Sequence, residues 1–440
     1  MKRWLGGVVV GLLTACATPG TPRPTSESAP VLVTSGNVTE AEVDGVKVLI
    51  KRVPGAELVA LRLDIQGGAL NWERENAGIE ALAWATAVSS PDVQRRLDAS
   101  GARLSSETGD DASALLAKCP REAWEDTFSL LRDVFLHPTL SPEDVERQRT
   151  RQLAALSDAR ENPRAHALEL VRQSLFERQP AELPPLGTEE TVRGLTRNAL
   201  EAHLAKLREH HRLLLVVVGD VAPEDVLREA HGFFARVEPG MPLGAAPPAP
   251  RFERPAVRLE ARRLPTDQLL SGFLLPGWDA PDFAAALVAV TVLDERIFDE
   301  LHMKRHLAYS AKALFDVTQA RPWGHFAVPT REPGAVMAVL VTEARRLREE
   351  ALSPESLRDS IARFNTLFLM ANESLDSQAA MLSRAQRYAG DWRRARDLPV
   401  RLREVTPEQV RAFANEYLRN LRTVLLGDTA KVEPSVLEAL

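Results

Sequence analysis

The two halves of this 440-residue chain repeat each other, so the chain is expected to contain the same fold twice. A Ser-Pro-Glu triplet opens a predicted helix at Ser141 and again at Ser353, an offset of 353 − 141 = 212 residues. An apolar strand ending in Gly-Asp follows in each half, at Gly219 and Gly427, with 427 − 219 = 208. A helix introduced by Thr precedes each of these strands. Three landmarks in the same order, at nearly the same offset, indicate an internal duplication.

Each half mixes predicted strands with longer helices and lacks the regular strand–helix alternation of a parallel sheet. This mixture is typical of an α+β fold, with an antiparallel sheet and helices packed on one face. Residues 59–65 alternate apolar and polar side chains, which predicts a half-buried strand. Asp44-Gly45 predicts a tight turn between short strands.

A Pro/Gly-rich stretch at residues 238–254 separates the halves and shows no apolar periodicity. A structureless loop of this length is uncommon inside one domain, which favours a linker. We therefore predict two tandem duplicated domains, at residues 38–237 and 255–432.

The N-terminus has the order of a secretory signal peptide, with a basic start followed by an apolar segment at residues 4–13. Leu13-Thr14-Ala15-Cys16 looks like a bacterial lipobox, in which Cys16 is acylated and becomes the mature N-terminus. The apolar segment is shorter than the ~20 residues that a transmembrane helix needs. Residues 17–37 are rich in Pro, Ser and Thr and predict a flexible tether. We expect a lipid-anchored protein of the cell envelope, and Ala17 after the Cys favours the outer membrane, facing the periplasm.

Cysteine content and charge exclude two further classes of protein. The chain has two cysteines, so with lipid on Cys16 the remaining Cys119 cannot belong to a disulfide framework. We expect Cys119 to be a small buried apolar residue. A net charge of −6 argues against a nucleic-acid partner.

Five short motifs follow one another along the chain, and their order is more informative than any single motif. They read Gly67-Gly68-Ala69, Ala77-Gly78-Ile79, Gly101-Ala102-Arg103-Leu104, Pro185-Leu186-Gly187-Thr188-Glu189 and Leu307-Ala308-Tyr309-Ser310. This ordered set resembles the insulinase/pitrilysin family of zinc peptidases over about residues 40–430. The resemblance implies tandem domains like those of the mitochondrial processing peptidases.

The zinc site that the resemblance implies is not matched in this chain. In the family, an H-x-x-E-H helix supplies two His ligands and a Glu that activates zinc-bound water. Counting from Ala77-Gly78-Ile79 places the His positions on Ala81 and Ala85 and the Glu position on Trp84. The third ligand, a Glu eight residues before a Pro, falls on Ala155. Because these side chains can neither bind a metal nor take a proton, we predict no metal, no cofactor and no catalytic residues.

The segment at residues 79–85 is almost wholly apolar, which is typical of a helix buried on most of its surface. We therefore expect the indole of Trp84 to fill the space that zinc and its ligands would take. The alternative is that Trp84 lines an open chamber and stacks on bound peptide.

The motif of the second half is also altered. Active relatives place an Arg seven residues before the Tyr of Leu-Ala-Tyr, and the pair holds the substrate carbonyl. Here Tyr309 is present, His302 stands at the Arg position, and Arg305 lies one helical turn further on. The resemblance therefore assigns Tyr309 and His302 as candidate substrate-binding residues.

Zinc could in principle bind elsewhere, because the chain has two other groups of His and Glu. His302 and His306 are four residues apart with Glu300 nearby, and His210-His211 follow Glu209. Both groups are more typical of His at helix ends or surfaces than of metal ligands.

Three functions remain open on this evidence. The family contains pairs in which one chain carries zinc and a similar chain lacks it, so the first hypothesis is an inactive partner of a zinc-bearing sister chain that acts on unfolded peptides. The second is a membrane-tethered scaffold or peptide-binding module without proteolysis. The third is a metallopeptidase with a relocated zinc site.

Replacing Cys16 with Ser should release the protein from membranes, because one acylated Cys is the only anchor that the sequence offers. Membrane and soluble fractions compared by immunoblot test this. A variant that still sediments with membranes after a high-salt wash would show that the lipobox interpretation is wrong.

Overall fold

The part of the chain that the computed structural model describes comprises residues 32–68, 72–240 and 249–440. Cys16, the predicted signal peptide and most of the predicted tether lie outside it. A strand at Val33–Ser35 lies within the predicted tether at 17–37, so folded structure begins earlier than residue 38. Within the described ranges, no helix is both long and apolar enough to cross a membrane.

The described residues of the first half contain seven strands and eight helices. The strands are β1 (Val33–Ser35), β2 (Val38–Val43), β3 (Val46–Arg52), β4 (Leu58–Gln66), β5 (Arg103–Thr108), β6 (Ala112–Pro120) and β7 (Leu213–Gly219). The helices are α1 (Ile79–Val88), α2 (Pro91–Ser100), α3 (Trp124–Leu136), α4 (Pro142–Glu161), α5 (Pro163–Leu175), α6 (Glu189–Gly194), α7 (Arg197–Leu207) and α8 (Pro223–Phe234).

The described residues of the second half contain five strands and seven helices. The strands are β8 (Ala256–Ala261), β9 (Asp267–Leu274), β10 (Lys312–Asp316), β11 (Trp323–Thr330) and β12 (Arg422–Gly427). The helices are α9 (Phe283–Phe298), which continues into a π-helical segment at Asp299–Lys304, α10 (Pro333–Glu349), α11 (Pro354–Ala371), α12 (Leu375–Ala389), α13 (Arg393–Arg403), α14 (Pro407–Tyr417) and α15 (Pro434–Leu437).

Each half forms one sheet, and the two sheets share a topology. The strand order is β1-β2-β3-β7-β4-β6-β5 in the first and β10-β11-β9-β12-β8 in the second. Neighbouring strands are antiparallel except β3 with β7 and β12 with β8, which are parallel. The strand ending in Gly-Asp is therefore flanked by one parallel and one antiparallel neighbour in both sheets. This confirms the α+β fold of two tandem duplicated domains, with one parallel pair per sheet that the sequence did not predict.

Helices of the same half cover one face of each sheet, as expected. In the first half α1, α2, α3, α7 and α8 enclose the core with the apolar side chains of the strands. In the second half the corresponding layer comes from α9, α10, α11, α13 and α14. Cys119 on β6 is buried in the first core, which confirms its expected role as a small apolar residue.

The opposite face of each sheet is covered by a helix from the other half. Helix α5 packs its apolar side chains on β9, β11 and β12 of the second sheet. Helix α12 packs on β2, β3 and β7 of the first sheet, where Ala379 and Leu382 meet Val216 and Val218. The two helices begin 375 − 163 = 212 residues apart, the same offset as the Ser-Pro-Glu triplets. Each half thus supplies one helix, at the equivalent position in its sequence, that covers the sheet of the other half. We call this arrangement the helix exchange.

Because α12 covers the second face of the first sheet, the prediction that residues 59–65 form a half-buried strand is wrong. Strand β4 is buried on both faces, including Arg62 and Asp64. Arg62 Nε donates to Asp64 Oδ1 at 2.9 Å, and Ser383 Oγ of α12 donates to Asp64 Oδ2 at 2.6 Å. The polar residues of the alternation therefore face α12, where pairing and hydrogen bonds offset the cost of burying them.

A second polar contact between the halves involves the turn between β5 and β6. Asp111 accepts hydrogen bonds from the Tyr388 hydroxyl at 3.0 Å and from the Ala320 backbone N–H at 2.9 Å. The carboxyl group of the neighbouring Asp110 is largely removed from solvent, which raises its pKa to about 7, and the guanidinium of Arg172 at 3.5 Å opposes that rise. The Asp111 carboxyl group therefore belongs to the contact between the halves, with Asp110 beside it.

The second half extends beyond the predicted end at residue 432. Helix α15 follows, and the side chains of Leu437 and Leu440 are buried in the second core. The backbone N–H of Leu421 donates to the Leu440 carbonyl at 3.1 Å. The last residues are therefore part of the domain.

Candidate functional site

Two of the sequence motifs meet at the start of α1. Gly78, the residue before the helix, has φ 88°, a left-handed conformation that favours glycine. A Cβ at Gly78 would lie 2.5 Å from the carbonyl oxygen of Leu186, so the backbones of Ala77-Gly78 and Leu186-Gly187 are in direct contact. Thr191 Oγ1 donates to the Ala77 carbonyl at 2.8 Å. These contacts fix the point at which α1 begins.

The positions that correspond to metal ligands lie on α1 and α4. Ala81 is 9% exposed, Ala85 is half-buried, and Ala155 on α4 is exposed. Helix α4 is joined to α1 by Gln152, whose Nε2 donates to the Gly78 carbonyl at 3.2 Å. The three alanines offer only methyl groups, whereas zinc binds nitrogen, oxygen or sulfur, so these residues do not fit a zinc ion.

The indole of Trp84 lies in the core beneath α1. Its side chain is fully buried, and its ring stacks on Phe135 with the centroids 5.9 Å apart and the planes 10° from parallel. The indole Nε1 has no hydrogen-bond partner. Trp84 therefore contributes packing and is not exposed to an open chamber. Ala85, the next residue, is only half-buried, so its methyl group does not share the buried environment of the indole.

A buried carboxylate that the sequence analysis missed holds α1 in place. Glu80 is fully buried and accepts a hydrogen bond from Ser113 Oγ at 2.6 Å and from the Gly68 N–H at 3.0 Å. His203 Nε2 of α7 lies 3.0 Å from Glu80 Oε2, within hydrogen-bonding distance. The signal for this network is a lone Glu in the apolar segment at 79–85, since a buried charge requires partners.

An open strand edge lies beside α1. Strand β5 is the last strand of the first sheet, and α1 packs against it. A groove runs between this edge and the start of α12. An ion pair crosses the groove, with Lys118 Nζ 2.6 Å from Asp376 Oδ2. An extended peptide can add to such an edge through main-chain hydrogen bonds. The polar side chains that line the groove are Arg62, Arg103, Ser105, Glu107, Lys118, Ser374, Asp376 and Ser377.

The two candidate substrate-binding residues of the second half are in contact. Tyr309 is 90% exposed, and its ring meets the ring of His302 edge to face, with the centroids 5.6 Å apart. His302 Nδ1 donates to the Ala308 carbonyl at 3.1 Å, and its ring stacks on Phe298. Arg305, three residues after His302, is exposed and pairs through its Nε with Glu300 at 3.3 Å. The phenol of Tyr309 is thus presented to solvent.

The two other His groups do not form metal sites. His306 Nδ1 donates to the His302 carbonyl at 2.9 Å, and His210 Nε2 donates to the Phe234 carbonyl at 2.7 Å. His211 Nδ1 donates to the Pro239 carbonyl at 3.1 Å. Throughout the described ranges, no three His, Cys, Asp or Glu side chains are grouped closely enough to hold a metal ion.

Comparisons with known proteins agree with this architecture. Residues 47–189 match the model of the insulinase family, peptidase family M16, and residues 194–364 match the peptidase M16 inactive domain. An uncharacterised zinc protease of Mycobacterium leprae is 26% identical over 345 residues, covering 74% of this chain and 76% of that protein. The mitochondrial-processing peptidase subunit beta of Saccharomyces cerevisiae is 20% identical over 429 residues, covering 90% and 92%. A peptidase M16 inactive domain from Pseudomonas fluorescens superposes with a TM-score of 0.81 at 18% identity, covering 90% of this chain and all of that one.

Replacing Glu80 with Ala should lower the free energy of unfolding by ~3–5 kcal/mol, because Ser113, His203 and the Gly68 N–H would lose a buried charged partner. Chemical denaturation measures this. Glu75, which is exposed, provides the matched control, and Glu75→Ala should change stability by no more than about 0.5 kcal/mol. Equal effects of the two substitutions would contradict the network.

Replacing Trp84 with Ala should cost ~3–5 kcal/mol, since it leaves a cavity against Phe135. Trp84→Phe should cost much less, because it keeps an aromatic ring and removes an indole N–H that has no partner. Thermal and chemical unfolding of both variants decide this. An unchanged melting temperature for Trp84→Ala, together with lost peptide binding, would show that the indole acts in recognition.

Proposed function

Because this chain belongs to the insulinase family, peptidase family M16, we propose that it is a non-catalytic member that acts as the lipid-anchored partner of a zinc-bearing sister chain. The observation that carries the proposal is the set of side chains at the metal positions. Ala81, Ala85 and Ala155 supply methyl groups, and Trp84 lies in the core where an active enzyme would need a Glu.

The loss of the reaction centre leaves the rest of the architecture in place. Helix α1 still begins at the contact between Gly78 and Leu186, and the open edge of β5 still runs beside it. An unfolded peptide could add to that edge as a further strand, through main-chain bonds that do not depend on its sequence. We propose that this chain forms one wall of a peptide-binding chamber that the sister chain completes.

A partner role agrees with the kind of protein that this chain is similar to. The yeast relative is named as the beta subunit of a processing peptidase, and it matches over most of both chains. The name applies to that protein, and it supports here only the expectation that members of this architecture work as subunits.

The second candidate is a membrane-tethered scaffold without a proteolytic complex. It is favoured by the substrate-binding position of the second half, where His302 replaces the Arg and Arg305 is paired with Glu300. A chain that helps to position substrate would be expected to keep a free guanidinium beside Tyr309.

A single purification distinguishes these functions. The tagged chain, isolated from native membranes, should bring with it a family member that contains H-x-x-E-H, and the pair should cleave unfolded peptides. The chain purified alone should contain no stoichiometric zinc and should cleave nothing. Isolation without any such chain would favour the scaffold. Near-stoichiometric zinc that is lost in His302→Ala would overturn the proposal in favour of a relocated site.

A further inference from the structure

A surface that the proposed activity does not use lies where β1, the end of α11 and α13 meet. Arg396 of α13 donates to Ser35 Oγ at 2.8 Å, which ties the helix to the end of β1. Leu369 of α11 and Pro399 of α13 line the same groove as Ser35 and Gly36. The three elements thus form one continuous face, which we call the α13 face.

Large apolar side chains are exposed on and around the α13 face. Leu369 is 65% exposed, Met370 61%, Val400 47% and Val33 45%. Clustered exposure of this kind on a soluble domain indicates a contact surface, whereas single exposed apolar residues do not.

Helix α13 also carries a strong local positive charge. Its sequence RRARDLPVRLR has five Arg and one Asp, so 5 − 1 = +4, although the whole chain carries −6. Ala395, Leu398 and Leu402 are buried against the second core. Arg396, Val400 and Arg403 are spaced i, i+4 and i+7, so they share one side of the helix, and all three are exposed. An apolar residue between two arginines, of which Arg396 also pairs with Asp397 at 3.0 Å, is therefore presented to the outside.

In the sequence, the predicted lipid-bearing residue Cys16 lies a short distance before this face. The described structure begins at Leu32, directly before β1. Between Cys16 and Leu32 there are 31 − 17 + 1 = 15 residues. Cys16 and Leu32 are therefore 16 residue steps apart and at most about 58 Å apart when the chain between them is fully extended. A lipid on Cys16 would therefore hold the α13 face within that distance of the bilayer.

We propose that the α13 face docks on a membrane surface rich in anionic phospholipid. Exposed apolar side chains flanked by arginines match the apolar and anionic layers of such a surface. The inference rests on the proposed lipid anchor for the orientation of the molecule, whereas binding by the face itself does not require the lipid. Docking fixes which side of the domain pair faces the membrane and leaves the edge of β5 free to face a partner.

The test uses the full chain with Cys16→Ser, so that no lipid contributes. Vesicles of phosphatidylcholine with about one third phosphatidylglycerol should bind this chain in co-sedimentation at low salt, and about 0.5 M salt should release most of it. Reversing two charges, with Arg396→Glu and Arg403→Glu together, should weaken binding about tenfold or more. The substitution Leu369→Asp should also weaken binding to the vesicles.

The matched control reverses two exposed arginines of the first half, Arg95→Glu with Arg193→Glu, and should bind as the parent does. All variants share the same N-terminal segment, so differences in binding between them arise from the substituted face, and their melting temperatures establish that they are folded. Binding that ignores phosphatidylglycerol, or that the control pair weakens equally, overturns the proposal. A dimer in solution that the substitution Leu369→Asp dissociates would also overturn the proposal, because the α13 face would then join two copies of the chain. Failure here leaves the membrane release of Cys16→Ser unaffected and is thus separable from failure of the anchor.

Discussion

The exchange of α5 and α12 between the two halves is the contact on which the remainder of the fold depends. Each sheet has one face buried by its own helices and would expose the other as a row of apolar side chains, such as Val216 and Val218 on β7. Because α5 covers the second sheet and α12 covers the first, neither domain completes its burial alone. The duplicated halves should therefore unfold as one cooperative unit, and polar residues such as Asp64 and Asp111 fix the register between them.

Helix α1 carries the positions that correspond to metal ligands, and two buried side chains fix its place. A helix that coordinates a metal can be held in place by its ligands, and here the same helix is held by a buried carboxylate and a buried indole. Glu80 joins α1 to β6 and α7, while Trp84 joins it to Phe135 on α3. These contacts reach the elements around α1 without using the positions of Ala81 and Ala85. The helix keeps its place, and the edge of β5 beside it remains accessible.

The molecule presents surfaces of different chemistry at different places. The edge of β5 borders a groove of mixed charge, which the ion pair of Lys118 and Asp376 crosses. The α13 face combines cations with exposed apolar groups. Tyr309 projects into solvent from the second half, supported by the ring of His302. These three places differ in charge, apolar content and exposure, and each of the proposed contacts, with a peptide, a partner and a lipid surface, uses a different one of them.

The sequence by itself determined the duplication, the α+β class and the alanines at the metal positions, because these depend on periodicity and on which side chain stands at a counted position. It could not determine that Arg62 and Asp64 are buried, since the same alternation of apolar and polar residues occurs in strands that have one face exposed to solvent. It could not supply the partners of Glu80, because Ser113 and His203 lie 33 and 123 residues away along the chain. Only the tertiary structure decided these points, since which helix covers which face of a sheet depends on contacts between the halves that no local pattern encodes.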